Sequence, residues 1–215
     1  MSNRRIAGGA GLLFVVMNVI AAFAPGNPPK YDDPIDKIVQ FVVEKDSQIV
    51  GASFVVAISM VFALVFFIGL WRILRSAEGD GFDFSTVFLG GAVATVAIVT
   101  VGSAIMAVPS FESEQLGTPK ADIVRFSQDA SGLCFVLASG VIVALVLAAS
   151  LSIFRGRGLP VWLAWLGVLA AGAEVAGGLG VTSHDLYKLG LFLGFVPIMV
   201  WFLATSVTLL ASQET

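Results

Sequence analysis

Cysteine and histidine are nearly absent from this chain, which has one of each, Cys134 and His184, in 215 residues. One cysteine cannot form an intrachain disulfide and reveals no redox compartment. One histidine cannot supply the bis-histidine ligation of a membrane cytochrome, and no His/Cys cluster marks a metal site, so neither metal nor other cofactor is expected. The phosphate-cradling G-x-x-x-x-G-K-[ST] is missing, which excludes a nucleotide-driven pump. H-E-x-x-H and G-x-S-x-G are missing too, so an enzyme ranks behind a binding protein or a transporter. Charge is scarce: 13% of residues carry it, about half the share of a soluble domain, and the net charge of −3 offers nothing to nucleic acid.

What fills the space is apolar. Hydrophobic residues make up 57% of the chain, and the mean hydropathy is +0.94. A bilayer core of ~30 Å takes about 20 apolar residues in a helix. Six segments meet that length: Ile6–Ala24, Ile49–Trp71, Thr86–Val108, Ser131–Phe154, Pro160–Val181 and Leu189–Leu210. The period-2 alternation of an outer-membrane barrel is absent. The expectation is an all-α, single-domain, polytopic helical bundle of six transmembrane helices in the lipid bilayer. No lysine falls inside a span, with Lys188 just before the sixth, which argues against a retinal Schiff base; arginine arrays of the voltage-sensor type are absent as well. Ala22-Phe23-Ala24 resembles a signal-peptidase site, but Pro25 would follow the cut, so the first segment reads as a retained helix.

Basic residues are divided equally between the two sides, so number alone does not orient the chain. Arg4, Arg5, Arg72, Arg75, Arg155 and Arg157 crowd short flanks on one side. On the other, Lys30, Lys37, Lys45, Lys120, Arg125 and Lys188 are interleaved with Asp32, Asp33, Asp36, Glu44, Asp46, Glu112, Glu114 and Asp122, on the side of two larger acidic loops. The arginines' closeness to the helix ends predicts a cell inner (plasma) membrane protein with both termini cytoplasmic.

The chain also resembles itself. "PIDKIVQF" (34–41) matches "PKADIVRF" (119–126), "GASFVVA" (51–57) matches "GLCFVLA" (132–138), and Gly8-Gly9-Ala10 matches Gly90-Gly91-Ala92. Pro25 and Pro109 stand near the end of each first helix. The pattern predicts two repeated hairpins, about 6–72 and 86–154, in parallel orientation, and a third, about 160–210, closing the bundle. Chance matching of Val, Ala and Gly is the alternative. Within the repeated loop, Asp33-Pro34 and Thr118-Pro119 read as an N-cap followed by proline at the first helical position. Ile35, Ile38, Val39 and Val42 then share one helix face, predicting a short amphipathic helix on the outer side; Ile123, Val124 and Phe126 repeat it, leading into span four. Such helices cap the bundle or, less favoured, roof a cavity.

One residue breaks the apolar pattern. Glu174, in "AGAEVAGGLG", stands about 21 Å above the inner end of span five. An ionised carboxylate there costs up to about 2.5–3.5 kcal/mol, so it should face protein or water and have a partner, or else be protonated. Arg125 and His184 are the candidates, with Asp129, Gln128 and Ser131 completing a polar cluster; Arg125 and Asp129 are four apart and can pair with each other. The binding cluster expected is therefore Arg125, Asp129, Glu174 and His184, and no catalytic set is visible. A structural tie between spans four and five comes first among the readings, a site for a small polar or amphipathic molecule second, proton coupling or catalysis third. His184-Asp185 alone reads as a solvated turn that can cap the next helix.

Gly172, Ala176 and Gly180, and Gly190 and Gly194, form small-residue stripes for close helix packing, within the chain, in a homo-oligomer or against a partner subunit. Pro197 should kink span six. "SAEGDGFDF" reads as a solvated turn. Finally, "GRGLPVWLAWLG" (156–167), the "GGAGLLFVV" opening and the acidic outer loops together resemble small six-span bacterial membrane proteins classed as a domain of unknown function. In that group a basic Gly-Pro turn leads to a Trp-rich start of span five; Trp162 and Trp165 are retained here, and Val161 stands where a basic residue is common. The resemblance implies fold and location, and no site residues. The functional expectation is non-enzymatic binding of a small amphipathic or lipid-like molecule, or of a partner subunit. The rival is a small proton-coupled transporter or channel using Glu174, which the scarcity of polar side chains in the inner halves (Ser59, Ser150, Ser152) argues against.

Overall fold

The computed structural model describes residues 3–30, 33–180 and 187–212. In hydrocarbon a helix satisfies its own backbone groups, which an open strand cannot do. Among the described residues all regular structure is helical: α1 (Asn3–Phe23), α2 (Ile35–Glu44), α3 (Asp46–Ala77), α4 (Phe84–Leu116), α5 (Ala121–Gly156), α6 (Val161–Gly180) and α7 (Tyr187–Ala211). Five are long and apolar enough to cross a membrane, α7 being counted from Leu193; α6 is apolar over a shorter stretch, Val161–Gly177. The chain has the make-up of a multi-pass membrane protein. With 32, 33 and 36 residues, α3, α4 and α5 reach about 48–54 Å and project well past a ~30 Å hydrocarbon core.

Successive helices are neighbours in space. α1 packs on α3, α3 on α4, α4 on α5, α5 on α6 and α6 on α7, and α7 returns to α1. The result is a closed ring of six helices, with α2 set against α4, α5 and α3. Lipid gives apolar surfaces little reason to meet, so such a ring depends on close packing and hydrogen bonds. Gly8 lets α1 sit on the Ser206 carbonyl and Leu210 of α7, and Gly167 of α6 receives Ser150 of α5 and Trp201 of α7; a Cβ at either glycine would overlap these neighbours. The Trp201 indole N–H donates to the Leu163 carbonyl of α6 at 3.0 Å.

The two ends of the ring differ. At the arginine end, Phe14, Phe66, Phe67, Phe88, Trp201 and Phe202 are buried together. Ring centroids lie 5.5 Å apart for Phe14–Phe202 and Phe67–Phe202, and 5.9 Å for Phe67–Phe88, mostly edge to face. The loop between α3 and α4 is held from several sides. Asp83 caps α4 by accepting from the Thr86 N–H and the Ser85 hydroxyl. Glu78 accepts from the N–H groups of Phe84 and Ser85. Arg75 bonds Asp83 at 2.8 Å. Arg155 lies over the Phe84 ring and donates to the Phe82 carbonyl. This segment, expected as a solvated turn, is a hydrogen-bonded latch.

At the opposite end α2 turns Ile38 and Val42 into a small buried cluster with Val124 of α5, and Ile35 and Val39 pack on it. Several local expectations are corrected here. The second amphipathic segment is not a separate helix, because α5 runs unbroken from Ala121 to Gly156. Pro109 lies inside α4, which continues to Leu116. Asp33 does not cap α2: its carboxylate is taken by the Lys30 N–H and the Lys37 ammonium, and α2 begins after Pro34 with no side-chain cap. Neither does Thr118 cap α5, whose N-cap position is Lys120. Pro197 lies within α7, which runs on through it. Gly172 and Ala176 are exposed on the outside of α6, and nothing among the described residues packs on Gly172.

Candidate functional site

Inside the α2 end the helices do not meet. They enclose a cavity of about 370 Å³, walled by all six helices of the ring. The reason is side-chain size. Positions that would point at the axis are Ala21 on α1, Ala52 and Ser53 on α3, Gly132 and Ala138 on α5, and Gly177 on α6. Small residues cannot fill the middle of a six-helix ring. Below them Phe14, Phe67 and Phe202 line the cavity and belong also to the aromatic cluster, so they form its floor. Ala22 and Met106, at the other extreme of the lining, are exposed.

Glu174 of α6 is in the wall, only 9% exposed. Among the described lining residues it alone is ionisable. The Ser139 hydroxyl of α5 lines the same wall and interacts with it. From the other side α7 comes so close that a Cβ on Gly194 would lie 2.7 Å from Glu174 Oε2. The carboxylate is thus held between a hydroxyl on one helix and bare backbone on another. Ser139 is seven residues in from Gly132, the first lining residue of α5, so the carboxyl group sits about 10 Å inside the lip.

Other polar groups are few. Asn18 of α1 donates to the Ser59 hydroxyl of α3 at 2.8 Å and to the Phe14 carbonyl at 2.9 Å, and Ser59 donates to Val56 O, so this pair ties α1 to α3. Thr95 of α4 is buried, lines the cavity, and its hydroxyl has no hydrogen-bond partner among the described residues. Ser103, two turns further along α4, is buried in the same wall.

The structure separates the residues expected to form one cluster. Glu174 lines the cavity, whereas Arg125 and Asp129 do not. They occupy the first turns of α5, 14 and ten residues before Ser139, or about 21 and 15 Å along the axis. Arg125 is therefore too far along the helix to pair with Glu174, and Ser139 takes the place it was expected to fill. The misplacement has a physical cause: α5 projects beyond the membrane, so its charged start is not at the depth of Glu174. His184 lies outside the described residues. Ser139, Thr95 and Asn18 were not anticipated. Their only sequence signal is a polar residue in an apolar run, which is weak because membrane helices often return such hydroxyls to their own backbone. Among the described residues no three His, Cys, Asp or Glu side chains come together as metal ligands.

Comparison of the chain with family models, with curated proteins and with solved structures returned no match.

Proposed function

We propose that this chain is a six-span inner-membrane protein, both termini cytoplasmic, that binds a small amphipathic or lipid-like molecule in the cavity at its outer end. The observation that carries the reading is one buried carboxylate in the wall of a mostly apolar chamber of about 370 Å³. That volume falls in the ~300–1,000 Å³ range of small-molecule pockets, which pair apolar walls with a few orienting polar groups. The resemblance to small six-span bacterial membrane proteins fits this location, and two repeated hairpins would supply four of the six walls.

Conduction is the weaker reading. A proton or solute path would have to continue to the arginine end, where Phe14, Phe67 and Phe202 close the floor. Beneath them Ser150, Thr205 and Ser206 donate their hydroxyls to carbonyls of their own helices, at 2.7–2.8 Å. No ladder of polar groups remains to carry an ion.

The test uses Trp201, whose indole lies 5.3 Å from the Phe202 ring at the floor. With Trp71, Trp162 and Trp165 replaced by phenylalanine, the protein is placed in zwitterionic nanodiscs and titrated with a brominated decanol. Saturable quenching is expected, and it should vanish when Val99→Phe with Ala138→Leu fills the cavity. Unsaturable quenching that is equal in the filled variant means contact through the lipid only and sinks the reading. Acidification of vesicles that depends on Glu174 would put the transporter in its place.

A further inference from the structure

The geometry points to an amphiphilic amine as the cavity's ligand: an ammonium head bound by Glu174, an apolar body in the chamber, and one further polar atom reaching Thr95. This deepens the reading above and rests on it.

The argument begins with hydrogen-bond capacity. An ionised carboxylate offers about four lone-pair sites and no donor. At Glu174 one partner is provided, the Ser139 hydroxyl. α7 adds only Gly194, whose backbone approaches the carboxylate and brings no side chain. No described lining residue is cationic, and Arg125 stands about 21 Å away along α5. Among the described residues nothing else donates to it, and its open side faces the cavity, so a ligand that donates would fill the remaining acceptor sites.

Among amphiphiles the wall discriminates by charge. A carboxylate or phosphate head would meet a like charge in a low-dielectric chamber, where repulsion is poorly screened. An alcohol can donate once, without charge. A primary ammonium offers up to three N–H donors and the opposite charge, and charge-assisted bonds are roughly twice as strong as neutral ones. A quaternary ammonium has the charge and no donor. The depth of the carboxylate, about 10 Å inside the lip, also selects a slender head over a bulky one.

Thr95 is the independent second observation. Buried polar groups in native proteins are nearly always paired, yet this hydroxyl, more than nine-tenths buried in the same wall, has no partner among the described residues. A hydroxyl or ether oxygen on the ligand would satisfy it. Thr95 on α4 and Glu174 on α6 line the same cavity, so a ligand of amino-alcohol type would offer one group to each.

The experiment is displacement of the brominated decanol in nanodiscs from the protein that keeps Trp201 alone and is otherwise wild type, read by recovery of Trp201 fluorescence. Decylamine should displace it at a concentration roughly tenfold or more below decanol, with decanoate and decyltrimethylammonium weaker than decylamine. Glu174→Gln should bring decylamine level with decanol while the brominated probe still binds. Ser139→Ala, which keeps the carboxylate, should retain the preference for the amine and guards against a Gln variant that fails to fold. If decanol or decanoate competes as well as decylamine in wild type, the amine assignment is overturned and the binding reading stands. If no probe binds saturably, both fall.

Discussion

The two ends of the helix ring are both largely apolar and do opposite things. At the arginine end α3 turns Phe66, Phe67 and Leu70 inward, and α7 turns Trp201 and Phe202. Nearer the α2 end the same two helices present Ala52, Ser53 and Val56, and Gly194, Phe195 and Ile198. A six-helix ring has a wide axis, and only large aromatic side chains reach across it. Where several of them meet the ring closes; where alanine, serine and glycine predominate it stays open. Residue size at the inward positions, more than hydrophobicity, divides this molecule into a sealed half and a hollow half. The loops follow the same division. The short connection at the sealed end is latched by Asp83, Glu78, Arg75 and Arg155, while α2 covers the edge of α4 and α5 without lining the cavity.

The sharpest way to break this contrast is to remove its hub. Phe202 touches the rings of Phe14, Phe66, Phe67 and Trp201. Phe202→Ala should cost about 3–5 kcal/mol, the loss of a large side chain from a core that cannot collapse around the gap. Met199→Ala, one turn away but facing the chamber, should cost at most about 2 kcal/mol, since its side chain already borders free space. Reversible unfolding in mixed micelles measures both. Equal losses would show that the two halves are packed alike and would remove the basis for a binding chamber.

Much of the architecture was legible in the sequence, for a clear reason. In a bilayer, apolar length alone dictates helices, and short connections make successive helices neighbours. Less legible were the boundaries: apolar counting ended the third span at Val108, but α4 runs through Pro109 to Leu116, because a proline's lost hydrogen bond is cheap where the helix leaves the hydrocarbon. The site was half legible. Glu174 stood out because a carboxylate in an apolar run is costly wherever it lands. Its partner did not, since Ser139 is one hydroxyl among many, and Arg125 carried the better charge at the wrong depth. Hollowness was illegible too: Ala52, Gly132 and Ala138 read as packing residues until the ring places them opposite one another.

A second, smaller effect belongs to the latch. The Asp83 carboxyl is held below its ordinary value of 3.8, first by the Ser85 hydroxyl, then by the Thr86 N–H and the Arg75 charge. A group whose pKa is depressed on folding adds stability that is fully present above the unfolded value and is lost as pH falls through the folded one. Wild-type protein should therefore melt higher than Asp83→Asn at pH 7, and the gap should narrow as the pH is taken below 3.8. Thermal melts followed by circular dichroism at pH 7, 5 and 3 test this. A gap independent of pH would mean that the asparagine acts through lost cap geometry, and the latch would then be steric only.

The smallest effect on stability is the most informative about the chamber. Replacing a hydrogen-bonded hydroxyl by a methyl strands its partner, at about 1–3 kcal/mol, whereas a hydroxyl without a partner strands nothing when removed. Thr95→Val keeps the shape of the side chain and the β-branch that suits its place in α4. If the Thr95 hydroxyl faces the cavity unpaired, the valine variant should unfold within about 0.5 kcal/mol of wild type, or be slightly more stable. Ser59→Ala, which takes away the acceptor of the Asn18 bond, should by contrast lose about 1 kcal/mol or more. The same valine variant should bind decylamine as wild type does and lose a few-fold of its affinity for a decyl amino-alcohol, because only the second molecule has an oxygen for Thr95 to meet. A large loss of stability in Thr95→Val would show that the hydroxyl is already paired within the protein, and the chamber would then have one polar pole, Glu174, instead of two.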